Sequence, residues 1–295
     1  MKLPPKRRAE PQARRKIFIP PSKYRSLGCH ALRNTAGQPG PLILILHGPP
    51  GGGKSTALVT SLRSLGVKVF FLDPARFESV AAGEPVRYLR QVYAEAAEVV
   101  QGRHPTLCED EQPEAAAIVA DDADKAFGRH NDSTYTSNHQ HLHGFFQALN
   151  DNPSRVFGHR MPRIPFYFTC NDLSTLPDSI RRHGRADLID WRLTYEERVQ
   201  VVAAMYPTIR KGDIENLIIS HVSEPIAFFA ELRRHWIEKQ TFRLLTPPRL
   251  KNALQLALDG EWTHKVREPL IEDLEALARE VQLRRSPLDS EEDRG

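Results

Sequence analysis

The sequence predicts a three-layer α/β domain around a parallel sheet, followed by a smaller all-helical domain. Three observations predict it. Short apolar runs alternate with helical patterns as far as Leu193. A glycine-rich stretch, "LHGPPGGGKST" (46–56), overlaps the end of the first run. Beyond Leu193 the strand-like runs stop and helix starts recur.

The runs are "LILIL" (42–46), "VKVFFL" (67–72), "AAAIVA" (115–120), "PFYFTC" (165–170) and "LIDWRL" (188–193). Short continuous apolar runs suit strands covered on both faces. The clearest helical pattern is 85–101, with Val86, Leu89, Tyr93, Ala96 and Val100 at spacings of three and four. Thr194 and Glu197 form a capping box that opens a helix, and Pro207 closes it. Asp213 and Ser223 read as further N-caps. Thr246-Pro247 opens a helix whose expected core stripe is Leu250, Ala253, Leu254, Ala257 and Leu258, with Gly260 past its end. The expected division is a basic disordered arm (1–20), a nucleotide-binding domain (21–193), a helical lid (194–283) and an acidic tail (284–295). No internal repeat is evident.

Composition excludes several classes. The chain has 295 residues, 40% of them apolar, enough for a packed core. No apolar run approaches the roughly 18–20 residues of a membrane span, and the sequence opens on no apolar signal segment. Cys29, Cys108 and Cys170 are too few and too scattered for a disulfide framework or a zinc site, so a reducing cytosol is expected. The formal charge is +4, yet residues 1–16 hold seven Lys/Arg and one Glu, leaving 34 basic against 36 acidic residues elsewhere. The basicity belongs to the arm, which is either a solvated tail or a contact for nucleic acid or an acidic surface.

Gly48 to Ser55 fits the phosphate-loop pattern G-x-x-x-x-G-K-[ST], between a strand and a helix as that loop requires. Gly48, Pro49, Pro50, Gly51, Gly52, Gly53, Lys54, Ser55 and Thr56 form the expected nucleotide loop. Its backbone amides wrap phosphates, Lys54 reaches the β- and γ-phosphates, and Ser55 holds Mg²⁺. Asp121 and Asp122 end the third strand, where one acid serves the metal and the other orients water. Asn171 ends the fourth strand, and Arg182 and Arg185 flank Gly184 just ahead of the fifth. No guanine-reading N-K-x-D follows.

This order of motifs is the layout of AAA+ ATPases, and a closer likeness exists. The stretches "ESVAAGEPVRYLRQVYAEAAEVVQG" (78–102), "DDADKAFGR" (121–129), "ALNDNPSRV" (148–156), "TCNDLSTLPDSIRRHGRADLIDW" (169–191) and "PIAFFAELR" (225–233) resemble Rubisco activase, collinearly over roughly 42–236. The resemblance implies ATP and Mg²⁺ as cofactors and a homo-oligomeric ring, a hexamer, that remodels a protein substrate such as inhibited Rubisco. It implies that Lys54 and Ser55 are Walker A, Asp121 the metal acid and Asp122 the water-polarising acid. Asn171 becomes sensor 1, Arg182 and Arg185 arginine fingers, and Arg233 sensor 2. The chain departs from the pattern at His235, where activases tend to have a second arginine, and in a lengthened loop at 103–114. The segment before the phosphate loop is about 45 residues, so the usual N-terminal activase domain is expected to be reduced or missing.

Two other functions fit parts of the sequence. Asp73 follows the second strand, where some phosphate-loop kinases keep a catalytic acid. The basic arm alternatively recruits an ATPase to nucleic acid. His139 and His143 lie four apart on a helix expected over 138–149, a candidate metal pair beside the polar-contact reading. Phe77 and Tyr135 are candidate gripping aromatics on two pore-side loops, and Phe77 alternatively packs under its own loop. Trp191, Trp236 and Phe228 read as packing.

Overall fold

A computed structural model describes residues 17–77, 81–102, 114–127, 136–156, 158–258 and 266–285. The calls on residues 1–16, most of 103–114, Tyr135, Gly260 and most of the acidic tail lie outside these, as does the side chain of His139. The described residues form two compact units, one of Ile19–Leu193 and one that begins at Thr194 and also takes in residues 17–18.

The first unit is built on five parallel strands: β1 (Ile43–His47), β2 (Lys68–Phe71), β3 (Ala116–Ala120), β6 (Phe166–Cys170) and β7 (Ala186–Asp190), in the order β2-β3-β6-β1-β7. A separate antiparallel pair, β4 (Arg155–Val156) and β5 (His159–Arg160), makes a small hairpin. Successive strand residues point to opposite faces, and the two cores follow from that. Ile43, Ile45, Ile118, Phe166 and Phe168 face α3 (Glu84–Val100) and α5 (Thr136–Asp151), meeting Leu89, Tyr93, Phe146 and Leu149. Leu44, Leu46, Ala117, Val119 and Tyr167 face α1 (Pro21–Thr35) and α2 (Lys54–Ser64), meeting Leu27, Ala31, Leu58 and Leu62. These are the three layers. Phe127, on the short α4 (Ala123–Phe127), meets Phe146 and Phe168 at ring distances of 5.4 and 5.3 Å.

Four expected strands begin one residue later than read. The fifth begins two earlier, at Ala186. It is an edge strand whose residues alternate between covered and exposed, with Leu188 exposed, so it presents no continuous apolar run. Helix α1 was not anticipated. Its buried positions, Leu27, His30, Ala31 and Asn34, have helical spacing, but two of the four are polar. The arm also ends earlier than residue 20: Ile19 packs on the α1–α2 core, and buried Pro20 is the N-cap of α1.

The second unit contains α7 (Tyr195–Met205), α8 (Lys211–Ser220), α9 (Ile226–Leu244), α10 (Pro247–Leu258) and α11 (Ile271–Arg285), after the one-turn α6 (Asp178–Arg181) of the first unit. The Thr194–Glu197 capping box is present in both directions. Asp213 is not an N-cap. It lies within the first turn of α8 and takes Arg210, the N-cap residue, at 3.0 Å. Ser223 is not one either, because α9 starts from Pro225. The expected stripe on α10 is a correction as well. Ala253 is buried, but Leu250, Leu254 and Leu258 are 45%, 60% and 83% exposed. Periodicity says which face is apolar, not what covers it. No helix among the described residues is long and apolar enough to cross a membrane.

A buried polar network fixes α1 to the sheet. His30 directs Nε2 at the Leu42 carbonyl (3.1 Å), while Arg33 reaches His30 Nδ1 (3.0 Å) and Asp187 Oδ2 (2.5 Å). Arg163 donates to Asn34 Oδ1 (2.9 Å) and the Gly40 carbonyl (2.6 Å). Burial holds the His30 imidazole below its ordinary 6.5, although its contact with Asp187 pulls the other way. The neutral ring, donating from Nε2 and accepting at Nδ1, therefore fits the site. A depressed histidine contributes its full stability above the unfolded value and loses it as pH falls towards the folded one. Denaturant unfolding should show stability level above about pH 6.5 and falling below it. His30→Gln should flatten that fall, and an unchanged slope in the variant would assign it to other groups.

Candidate functional site

Parallel strands bring their carboxyl ends to one edge of the sheet, where ligands bind in open α/β folds. The loop after β1 runs from Gly48 to Gly53 and turns into α2. Gly48 has φ +150°, and a side chain there would meet the Trp191 backbone at 3.4 Å. Gly53 has φ +83° and is the N-cap of α2, with no side chain capping the helix. The first amides of α2 thus meet no capping side chain of their own, the condition for phosphate binding at a helix start.

Lys54 is buried beneath this loop. Its Nζ donates to the carbonyls of Gly48 (2.8 Å) and Pro49 (2.9 Å) and to Asn171 Oδ1 (2.8 Å). Burial lowers its pKa, and the nearby acids, Asp122, Asp124 and Asp121, oppose that shift. Asp121 Oδ1 accepts two hydroxyls at 2.5 Å, Ser55 Oγ from α2 and Thr169 Oγ1 from β6. Thr169 Oγ1 in turn accepts the Asp122 amide at 3.0 Å. Asp122 has φ +48°, the left-handed region, which aspartate tolerates better than most residues. Its carboxylate pairs with Lys125 Nζ at 2.7 Å on the surface. Asp124 Oδ2 accepts the Asn171 amide at 3.0 Å, and its Oδ1 is buried without a hydrogen-bond partner among the described residues.

The structure therefore joins Lys54 to Asn171 and Ser55 to Asp121 through direct side-chain contacts. It links Asp122 to them through its backbone. Arg182 and Arg185 are elsewhere. They precede Ala186, which is in register with Ile43 at the amino end of β1. The loop after His47 is four residues further on, about 13 Å along the strand. Arg185 donates to the Ser179 carbonyl at 3.4 Å, and Arg182 is exposed. Within the helical unit, Arg233 donates to the Met205 carbonyl (2.6 Å) and pairs with Glu268 (3.2 Å).

Other expectations resolve differently. Asp73 Oδ1 accepts the Ala75 amide at 3.1 Å, closing its own turn. Phe77 does not grip from an exposed loop. It is 4% exposed and packs edge-on to Phe127 and Tyr88 at 4.8 and 5.8 Å. No cluster of three or more metal-ligating His, Cys, Asp or Glu occurs among the described residues.

Three residues join the expected set at the site. Thr169 is a hydroxyl inside an otherwise apolar run, and a buried polar atom there signals a bonded role. Asp124 is the third acid of "DDAD". Trp191, read as packing, donates from Nε1 to the Gly52 carbonyl at 3.0 Å, and its ring would meet a side chain on Gly52 at 3.5 Å. It is a brace under the phosphate loop.

The family described as "ATPase family associated with various cellular activities (AAA)" matches residues 44–191, which contain every one of these contacts except those of Arg233. The chain belongs to the AAA family. Its relatives include the ribulose bisphosphate carboxylase/oxygenase activase of Anabaena sp. strain CA, 30% identical over 76% of this chain and 54% of that protein. The chloroplastic activase of Chlamydomonas reinhardtii is 29% identical over 75% of this chain and 57% of its own length. Activase 1 of Nicotiana tabacum is 30% identical over 74% and 50%. This AAA chain thus spans about half the length of the curated relatives it matches.

Thr169→Val should cost about 1–3 kcal/mol in denaturant unfolding, because it strands the Asp122 amide and removes a donor from Asp121. Thr169→Ser should recover most of the loss. Equal stability of Thr169→Val and the parent would remove Thr169 from the centre of the site.

Proposed function

We propose that this AAA chain binds ATP with Mg²⁺ at the loop after β1 and hydrolyses it in a ring of identical subunits. The motion is used to remodel a protein partner. The observation that carries this reading is the convergence of Lys54, Ser55, Asp121 and Asn171 on one strand edge. The loop amides and Lys54 hold the phosphates, with Lys54 exchanging its carbonyl partners for phosphate oxygens. Residues 48–56 supply the loop and the first turn of α2 as the nucleotide seat.

Ser55 Oγ and Asp121 Oδ1 fit Mg²⁺, which prefers hard oxygen donors and takes its remaining ligands from phosphate and water. Bound there, the ion would neutralise phosphate charge. Asp122, next to the metal acid, orients the attacking water, and Asn171 holds Lys54 and senses the γ-phosphate. Transfer to water develops charge on the phosphoryl oxygens, which a guanidinium stabilises. Arg182 and Arg185 lie at the far end of the sheet from their own subunit's loop, so they serve the loop of a neighbour. A ring supplies that neighbour at every site, six by the resemblance. Arg233, held in the helical unit, takes the sensor 2 role.

Rubisco is the proposed partner, supported by relatives named as its activases at about 30% identity over three quarters of this chain. A cytoplasmic setting accompanies that proposal. The phosphotransferase reading is weaker because Asp73 is committed to its own turn.

Asp122→Asn should bind nucleotide with near-parent affinity while phosphate release falls at least about 100-fold, since only the orientation of water is lost. Equilibrium binding and phosphate release on the same sample test this. Normal release would move the role to another acid, and transfer of the phosphoryl group to an organic acceptor would replace hydrolysis altogether.

A further inference from the structure

Strand β6 delivers Asn171 to the site but ends one residue before it, at Cys170. The ladder that fixes the strand stops there, so the Asn171 amide needs another acceptor. Asp124 supplies it. Its Oδ2 accepts the Asn171 amide at 3.0 Å and the Asp172 amide at 3.5 Å. Asp172 then turns its own carboxylate onto the Ser174 amide (2.8 Å) and opens a short 3₁₀ turn, Leu173–Thr175. The loop after β6 is thus pinned at its entry by an acid from another element.

An aspartate in the first turn of a helix ordinarily serves that helix, by capping its amides or countering its dipole. Asp124 lies in the first turn of α4, yet both of its bonds leave the helix. The turn that carries it is seated on the strand whose exit it holds: Ala123 is buried, and Phe127 meets Phe168 of β6 at 5.3 Å. Asp124 Oδ1 is buried and takes no hydrogen bond among the described residues. A bare buried acceptor costs stability, and the acid works through its other oxygen alone.

The consequence falls on the Asn171 side chain, whose Oδ1 accepts Lys54 Nζ at 2.8 Å. Asp124 makes no hydrogen bond of its own to Lys54, Ser55 or Asp121 among the described residues. It stands three residues after Asp121 and two after Asp122, so one short turn carries all three acids.

We propose that Asp124 is a positioning residue for hydrolysis: without touching nucleotide, it fixes the Asn171 backbone so that the Asn171 side chain stays on Lys54 and the γ-phosphate. The proposal rests on the hydrolysis reading above.

The test is a double-mutant cycle on the full chain, with phosphate release at saturating ATP and Mg²⁺, equilibrium ATP binding and melting temperature read on each variant. Asp124→Ala should lower kcat at least about tenfold, because a displaced group costs rate steeply. Its Kd for ATP should change less than about threefold, since the phosphate loop is untouched. Asn171→Ala should show a similar loss. The double variant should be no slower than Asn171→Ala within about twofold, because both changes remove the same interaction. Asp124→Asn keeps an acceptor oxygen at the same length and should recover most of the loss. If Asp124→Ala does not fold, Asp124→Ser, whose hydroxyl stops an atom short of the carboxylate oxygens, takes its place in the cycle and is read the same way. Losses that multiply in the double variant, a Kd that weakens at unchanged kcat, or an Asp124→Asn as slow as Asp124→Ala would overturn the proposal. So would an impaired Asn171→Ala beside an Asp124→Ala of parent activity, with the hydrolysis reading intact. An Asn171→Ala of parent activity, or a parent that releases no phosphate, would overturn the sensor or the hydrolysis reading itself, and the role of Asp124 with it.

Discussion

One carboxylate oxygen, Asp121 Oδ1, receives hydroxyls from two elements that are remote in sequence. Ser55 comes from the start of α2 and Thr169 from the end of β6, each at 2.5 Å, while Asp121 itself follows β3. That junction ties the phosphate loop to two neighbouring strand ends. It is available only because β3, β6 and β1 run parallel and adjacent, so that their carboxyl ends meet at one edge. The Asp122 amide closes on the same threonine, and Asn171, two residues on and just past β6, meets Lys54. A small number of bonds thus sets the positions of the residues proposed to face a nucleotide, the preorganisation that electrostatic catalysis requires.

The opposite side of the loop has its own support. Trp191 fills the space beside Gly48 and Gly52 and holds the Gly52 carbonyl. Lys23 on α1 lies 5.5 Å from that ring and donates to the carbonyls of Asp190 and Arg192. Further along, Arg33 binds Asp187 on the same strand. Strand β7 is therefore clamped by α1 over its length. One end leads into the brace under the phosphate loop, and the other follows the loop that carries Arg182 and Arg185. The two halves of the proposed composite site are fixed to a single strand, one at each end.

Sequence periodicity made the central sheet legible because β1, β3 and β6 are covered on both faces and must be apolar throughout. The phosphate loop was legible because its glycines and lysine answer to local backbone geometry. Features that depend on distant partners were less so. Helix α1 hides behind His30 and Asn34, whose burial is satisfied by partners outside the helix, among them Leu42, Arg163 and Pro41. Edge strand β7 alternates instead of running apolar. Phe77 looked like a loop aromatic because its cover, Phe127, is fifty residues away. The leucines of α10 gave a true amphipathic pattern but no information about a covering surface. Thr169, Asp124 and Trp191 matter through side-chain geometry, which no one-dimensional spacing encodes.

In the proposed ring, each nucleotide site is completed by arginine from a second subunit. Mixing inactive Lys54→Ala subunits with inactive Arg185→Ala subunits measures this directly. The first supply the arginine loop, and the second supply an intact phosphate loop. Steady-state ATP turnover of the mixture should rise clearly above the sum of the separate proteins and should grow with total protein concentration. A mixture no more active than its components, or a parent protein whose turnover per subunit is independent of concentration down to the monomer, would contradict the composite site.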